Sequence, residues 1–431
     1  MTAALTLFLP CAGGVEDFLA DEVHGLTGLR GQDLLTVRGG VRVRGDWEVV
    51  LRLNLWSRLA QRVLIELAEA PYLDEQDLYA LAASVPWEDW FEARQSFRVD
   101  LTAQASPLKS LNFATLRVKD AVADRFRAHA DGVRPSVDTR APQVRVQAHL
   151  TDARAQLYID TSGEPLFKRG WRQDKGDAPL KETLAAAMLA ACGWWRPAER
   201  RVAELPLYDP CCGSGTIVIE AAQLALGLAP GARRRFGFER LRPFQPAPWR
   251  AIQQEPAAPR GAPAGAAIQV FGSDVAHRMV DFAQRNAERA GVAHAVQLRG
   301  GDALQRLPPT STPGVLLMNP PYGERIAAAG VAGAGARGRE AFQTGTLARQ
   351  RGGAHDPDAD VNAGDEFFAR LAAHWKGHYG GWAAWLLTPD LKLPGRLRLK
   401  ESRRVPLWNG PIECRLFRFE LTARTARSAG P

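Results

Sequence analysis

Short apolar runs and amphipathic stretches alternate from the start of the chain. Leu5 to Leu9 suits a strand, Pro10 to Gly14 a turn, and Val15 to His24 a helix with Val15, Phe18, Leu19 and Val23 on one face. Leu34 to Arg38, Gly39-Gly40 and Val41 to Arg44 predict strand, tight turn and strand, before a helix over 47–56 and a strand over 62–66. The same reading predicts a helix over 74–91, a strand over 97–103, a helix over 111–127, and strands over 144–149 and 156–160. Both stretches are expected to fold as small α+β units, over 1–55 and 56–162, with 163–178 as a linker.

From Pro179 the rhythm becomes strand, helix, strand. Helices are expected over 180–192, 216–226, 279–290 and 365–376, and strands over 205–208, 268–272, 295–298, 315–318 and 381–387. This alternation predicts a parallel sheet with helices on both faces. Arg404 to Trp408, Asn409-Gly410 and Ile412 to Leu421 read as an antiparallel hairpin. The fold expected for 179–425 is therefore α/β, a parallel sheet ending in a hairpin. Two stretches are expected outside its core: Pro- and Ala-rich Arg242 to Gly265, with a short helix near Trp249 to Gln254, and Ala327 to Gly364. The second almost lacks large apolar residues and is expected to be a mobile loop.

Composition narrows the class. The 431 residues, 46% hydrophobic and 24% charged, describe an ordinary globular chain of two or three domains at about 150 residues each. No uncharged apolar run approaches the ~20 residues of a membrane span. The start of the chain lacks a basic region and reads as a strand rather than a signal peptide. Five scattered cysteines and eight histidines without ligand spacing predict neither a disulfide scaffold nor a structural metal site. A soluble, cytoplasmic protein is expected. The net charge of +8 fits a nucleic-acid partner, and fits equally the Arg, Ala and Gly usage of a GC-rich genome.

Cations gather in two places. Lys109, Arg117, Lys119, Arg125 and Arg127 lie in or beside the 111–127 helix, and Lys168, Arg169, Arg172 and Lys175 interleave with Phe167 and Trp171. Such a mixture suits phosphate contact and base stacking. A solvated helix face and an ordinary linker are the alternatives.

Two motifs carry chemistry. Asp209-Pro210-Cys211-Cys212-Gly213-Ser214-Gly215-Thr216 joins an apolar strand to a helix, where glycines allow a sharp turn and close approach of a ligand to the main chain. It lacks the Gly-Lys-Ser/Thr of a phosphate loop, and Val218 breaks the Gly-x-Gly-x-x-Gly pattern. With Asp209 before it, a ligand with an amino-acid moiety fits. Asn319-Pro320-Pro321-Tyr322 follows the 315–318 strand. Its prolines hold the backbone extended, so the Asn319 amide oxygen and the Pro320 carbonyl are placed to accept both hydrogens of an exocyclic amine, and Tyr322 offers a ring face to a base. A stiff turn over a buried tyrosine is the alternative. Between the motifs, Asp274 is placed for ribose hydroxyls and Asp302, in Gly301-Asp302-Ala303, for an adenine amino group. Each alone also suits a helix N-cap.

In this order the motifs resemble class I S-adenosylmethionine-dependent methyltransferases that act on exocyclic amines of nucleic-acid bases. Pro179-Leu180-Lys181-Glu182-Thr183-Leu184, Ile219-Glu220-Ala221-Ala222, Gly323-Glu324-Arg325 and Asn409-Gly410-Pro411-Ile412-Glu413-Cys414 narrow the resemblance. They are similar to the bacterial 23S rRNA guanine-N2 methyltransferase family, which carries an N-terminal THUMP domain. Pro10 to Glu16 and Pro86-Trp87-Glu88 fit that N-terminal region.

The resemblance implies a Rossmann-like class I methyltransferase domain preceded by a ferredoxin-like and THUMP RNA-binding region. It implies S-adenosylmethionine as cofactor, its methionine part lined by Asp209, Pro210, Cys212, Gly213, Ser214, Gly215 and Thr216, its ribose by Asp274, and its adenine by Asp302 and Ala303. Asn319, Pro320, Pro321 and Tyr322 would hold the target base, with Asn319 also facing the cofactor. Cys211 and Cys212 are then loop packing. RNA capture would fall to Lys109, Arg117, Lys119, Lys168, Arg169 and Arg172, with 23S rRNA as the expected partner and neither a membrane nor a metal. Many relatives carry a second acid where this chain has Ala276, which leaves ribose recognition on Asp274. Some relatives fuse a second methyltransferase beyond the point where this sequence ends. A tRNA guanine-N2 methyltransferase shares the same plan, an adenine-N6 methyltransferase shares Asn-Pro-Pro-Tyr, and a non-catalytic ribosome-assembly factor could keep the fold.

Overall fold

The structure is a computed structural model that describes residues 4–176, 179–255, 269–320 and 357–422, without the side chains of 357–365. The chain forms two compact units: Met1–Gly170 with Pro197–Arg200 and Leu228–Ala258, and Trp171–Arg196 with Arg201–Gly227 and Pro259–Pro431. No helix among the described residues is long and apolar enough to cross a membrane.

The first unit runs β1 (Leu5–Pro10), α1 (Glu16–Thr27), β2 (Leu34–Val37), β3 (Gly40–Gly45), α2 (Trp47–Trp56), β4 (Leu64–Pro71), α3 (Glu75–Ser84), β5 (Phe97–Ala103), α4 (Leu111–His129), β6 (Val144–Leu150) and β7 (Arg154–Asp160). All seven strands form one sheet in the order β2-β3-β1-β4-β7-β6-β5. Regions 1–55 and 56–162 therefore share a sheet, because β4 pairs with β1 through Leu7 and Ile65 and with β7 on its other side. Asp46 starts α2 by accepting the Val49 N–H at 3.1 Å, and Asp74 and Asp77 form a capping box at α3. The helix expected over 74–91 stops at Ser84. Pro86 restricts Val85 to extended backbone, and the chain resumes as a short 3₁₀ turn, Trp87–Asp89. Trp87 is fully buried, and its indole N–H donates to the Ala82 carbonyl at 2.7 Å.

Beyond β7 come α5 (Glu182–Ala191), β8 (Trp195–Arg196), β9 (Arg201–Val202), β10 (Leu207–Asp209) and α6 (Thr216–Ala225). Next is α7 (Pro246–Gln254), which clusters with the first unit, followed by β11 (Val270–Asp274), α8 (His277–Ala290), β12 (Val296–Gly300) and β13 (Val315–Met318). The order closes with α9 (Pro357–His378), β14 (Ala383–Thr388), α10 (Leu393–Leu397), β15 (Glu401–Asn409) and β16 (Ile412–Glu420). The second unit's main sheet has the order β12-β11-β10-β13-β14-β16-β15. The pairs from β12 to β14 are parallel, and β16 runs antiparallel to both β14 and β15. One core is built from Leu316, Met318 and Leu386 of the parallel strands, Phe417 and Phe419 of the hairpin, and Leu371 and Trp375 of α9.

Two expectations about irregular segments need correction. Residues 357–364 are helical, the start of α9, and not the end of a loop. A proline opens that helix without cost, since its missing N–H is one of the four that go unpaired there. The rest of the expected mobile loop, 327–356, lies outside the described residues. The second correction concerns 242–255, which is packed rather than peripheral. Trp249 and Ile252 are buried, and the Trp249 ring meets Phe236 and Phe238 edge-on at 5.6 and 5.1 Å. Arg52 of α2 donates through both terminal nitrogens to Glu255 at 2.5 and 2.6 Å. The Arg234 guanidinium donates to the Pro165, Lys168, Ser162 and Glu164 carbonyls.

Trp249→Ala removes the ring on which this segment closes. Large aromatic-to-alanine changes in a core cost about 3–5 kcal/mol. Urea unfolding should show that loss, with new protease cleavage inside 228–255; a variant with unchanged midpoint and cleavage pattern would place Trp249 outside the folding core.

Candidate active site

The parallel strands deliver four polar residues to one edge of the sheet. Asp209 ends β10, Asp274 ends β11, Asp302 follows β12, and Asn319-Pro320 follows β13. Parallel pairing sets Asp209 opposite Gly272, Asp274 opposite Gly300, and Leu207-Tyr208 opposite Val315-Leu316. All four therefore leave the sheet on the same side, at the carboxyl ends of adjacent strands.

The turn between β10 and α6 is shaped by its two glycines. Gly213 has φ +53° and Gly215 φ +89°, a backbone region that other residues rarely adopt. A Cβ on Gly215 would also stand 3.0 Å from Ala283 and 3.1 Å from Ile219, whereas one on Gly213 would meet open space. Gly215 is thus fixed by packing, and Gly213 leaves the turn's surface clear. The Cys212 N–H donates to the Ser273 carbonyl at 2.9 Å, and the Gly213 N–H donates to the Asp274 carboxylate at 3.0 Å. The other Asp274 oxygen accepts the Ala276 N–H at 2.9 Å. Asp274 is therefore held by two backbone donors, one of them the Ala276 N–H.

Burial dominates the electrostatics. Asp209 accepts the Cys211 N–H at 3.0 Å, yet desolvation, with the nearby Asp274 charge adding, pushes its carboxyl up to about 8. Burial also raises Asp274, against its two backbone donors. The thiols of Cys211 and Cys212 are pushed well up by burial and then by the neighbouring carboxylates, so both remain protonated. Asp302 accepts the Leu304 N–H at 2.9 Å, and Ala303 is buried. Ser214 and Thr216 are buried beneath the turn. Pro320 is buried after β13, while Pro321 and Tyr322 lie outside the described residues.

Residues outside the Asp209–Thr216 motif hold the turn. Arg172 donates to Glu182 at 2.8 Å and to the Thr216 hydroxyl at 2.8 Å, and its guanidinium lies over the Trp171 ring at 5.2 Å. Asn286 of α8 is fully buried and donates to the Ser214 carbonyl at 3.1 Å and the Asp174 carbonyl at 2.8 Å. The Asp174 carboxyl is held down to about 2 by Arg285 first and Arg289 second. A lone amide on the otherwise small apolar stripe of Ala283, Ala287 and Ala290 was the available sign for Asn286.

The expected RNA-contacting cations divide. Lys109 and Lys168 are exposed, although Lys168 pairs with Glu164. Arg117 is half-buried over the Tyr79 ring at 4.5 Å, and Lys119 pairs with Asp120. Two need correction. Arg169 is buried and donates to the Leu166 and Arg58 carbonyls, and Arg172 is committed to the turn. A sequence shows a cation but not the carbonyls that enclose it.

Comparisons with known proteins follow this architecture. Residues 6–64 match the RlmL ferredoxin-like domain, 72–160 the THUMP domain, and 169–334 the RMKL-like methyltransferase domain. The chain is 34% identical over 423 residues to Ribosomal RNA large subunit methyltransferase K/L of Psychromonas ingrahamii, covering 97% of this chain and 51% of that protein. The protein of the same name from Aeromonas salmonicida is also 34% identical, with coverages of 98% and 55%. The chain thus spans about half the length of the curated relatives it matches. Among solved structures, a protein assigned as a methyltransferase and complexed with SAH has a TM-score of 0.78 at 26% identity, covering 99% of this chain and 100% of that one. A predicted N6-adenine-specific DNA methylase from Listeria monocytogenes gives 0.77 at 26% identity, with coverages of 97% and 96%. The second unit has the mostly parallel sheet with closing hairpin of class I methyltransferases, and along its length the chain matches the domain series of RlmL-like proteins: a ferredoxin-like domain, a THUMP domain and an RMKL-like methyltransferase domain.

Proposed function

We propose that the chain is an S-adenosylmethionine-dependent RNA methyltransferase that places a methyl group on the exocyclic N2 amine of a guanosine in 23S rRNA. One observation carries this reading: Asp302, Asp274, the Asp209–Thr216 turn and Asn319-Pro320 lie side by side at the carboxyl ends of four neighbouring parallel strands. The relatives named for ribosomal RNA methylation and the neighbour complexed with SAH support it. Regions 1–55 and 56–162 would capture RNA and 179–425 carry the chemistry, in the cytoplasm where ribosomal RNA is made.

The residues suit that cofactor. S-adenosylmethionine supplies an electrophilic methyl group on a positively charged sulfur. Asp209, whose side chain has only the Cys211 N–H as hydrogen-bond donor among the described residues, favours a ligand with cationic groups. Gly213 leaves space above the turn for an amino-acid moiety, and Asp274, already oriented by two backbone donors, presents its carboxylate to ribose hydroxyls. Asp302 and Ala303 would meet the adenine.

The guanine amine is a poor nucleophile because its lone pair is delocalised into the ring. Asn319 and Pro320 would each accept one of its hydrogens, which localises the lone pair and aims it for in-line attack. Catalysis then rests on positioning and fixed dipoles rather than on a strong base. Tyr322 would stack on the extruded base and offset part of the unstacking cost.

Two experiments follow. Labelled methyl transfer from S-adenosylmethionine should mark unmodified 23S rRNA, and Asn319→Ala should lower turnover by at least ~10-fold with cofactor binding intact, as expected for lost transition-state positioning. Label appearing only in tRNA would replace the substrate, and near-normal turnover of the variant would remove Asn319 from the chemistry. The second concerns pH. The folded Asp209 carboxyl titrates near 8, against 3.8 for its ordinary value, so the folded chain retains a proton that the unfolded chain releases. Stability from this group falls as pH rises from about 4 to about 8 and is level above that. Asp209→Asn should flatten that part of the stability curve, read as urea midpoints at acid and alkaline pH. Parallel curves for the variant and the parent would show that Asp209 is ionised throughout.

A further inference from the structure

Residues 232–253 help to form a charged groove in the first unit. Two adjoining recesses of about 630 and 550 Å³ share Arg235, Glu239 and Phe244. Together they are lined by seven arginines, no lysine and three carboxylates. The carboxylates are already engaged: Asp160 with Arg62, Glu164 with Lys168 and Arg145, and Glu239 with Arg235 and the Phe236 N–H. Arg234 is spent on four carbonyls that clamp the segment to residues 162–168, just after β7. Four guanidinium groups remain, on Arg140, Arg233, Arg240 and Arg250. All four residues are exposed, and their side chains have no ion pair among the described residues.

This composition selects a class of partner. Guanidinium groups bind phosphates through paired N–H donors, and a set made only of arginine suits that chemistry better than a diffuse lysine field. The half-buried Phe244 ring, common to both recesses, provides a stacking surface. None of the lining residues is an exposed large hydrophobic side chain of the kind that anchors a protein interface. Four unpaired cations spread along two joined recesses match a chain of phosphates better than a single anion.

We propose that the groove of Arg140, Arg233, Arg240 and Arg250 binds the phosphate backbone of the RNA substrate, so that residues 232–250, which fall within the methyltransferase-domain match, extend the RNA-binding surface of the N-terminal unit. This rests on the reading of the chain as an RNA-modifying enzyme and moves the main RNA contact away from the cations at 109–127 and 168–175.

The test is an anisotropy titration of the full chain with transcribed 23S rRNA across a salt series, beside methyl transfer to the same transcript. Arg140→Gln, Arg233→Gln, Arg240→Gln and Arg250→Gln combined should weaken binding at least ~10-fold and reduce the slope of log affinity against log salt by about 3, since each phosphate contact contributes ~0.7–0.9. Lysine at the same four positions should keep the slope and lose only part of the affinity, and S-adenosylmethionine binding should persist in both. Unchanged affinity and slope in the glutamine variant overturn the groove, as does affinity lost with the slope intact or a parent chain that binds no RNA. If the parent transfers methyl to the transcript while the glutamine variant binds normally, the groove fails and the enzymatic reading stands. If the glutamine variant shows the expected loss but the parent transfers no methyl, the groove stands and the enzymatic reading fails.

Discussion

The hydrogen bond from the Gly213 N–H to the Asp274 carboxylate joins the turn after β10 to the end of β11, and the arrangement of the site depends on it. In the sheet order, β10 lies between β11 and β13, so the chain leaves β10 for opposite sides in succession. A crevice opens where the winding reverses, and open α/β sheets place ligands there. The bond closes the wall of that crevice. It also offsets part of the cost of burying Asp274, as a charge-assisted bond contributes about 1.5–3 kcal/mol where a neutral one gives about 1. Asp209, fully buried and with only the Cys211 N–H as donor among the described residues, is pushed up by that burial to about 8.

The same device recurs through both units: a buried ionic or amide side chain fixes a loop by saturating backbone groups. Glu22, itself raised by burial, accepts from the Arg58 N–H at 2.7 Å, the Leu59 N–H and the Ser57 hydroxyl. Arg234 does the converse, donating to carbonyls on a neighbouring segment, and Arg172 and Asn286 hold the glycine turn from below. Packing alone would leave these loops with unpaired polar backbone, which is costly in an interior. Loops fixed in this way can present small ligand-facing surfaces without moving much.

Local pattern made most elements legible. The helix at 47–56 and the strands at 97–103 and 315–318 match at both ends, because a cap or a clean apolar run marks each boundary. The motif residues were legible for a similar reason, since glycine turns and Asn-Pro-Pro-Tyr constrain backbone shape directly. What stayed hidden depends on contacts distant in sequence. The amphipathic period of 74–91 continues beyond the break at Pro86, so periodicity alone predicts a helix longer than the one that ends at Ser84. The prolines of 242–255 suggest a segment outside the core, whereas Phe236, Phe238, Phe244 and Trp249 are the local sign that it closes on one. Arg169 read as a surface cation because nothing local distinguishes a guanidinium that meets phosphate from one enclosed by carbonyls.

The central claim is that the acids and the glycine turn at the strand ends form one nucleoside-binding site. A crystal structure of the chain with S-adenosylhomocysteine tests it most directly. The account predicts ribose hydroxyls on the Asp274 carboxylate, adenine beside Asp302 and Ala303, and the amino-acid moiety over the turn from Asp209 to Thr216. Ligand density elsewhere in the chain, or none at saturating concentration, would contradict it.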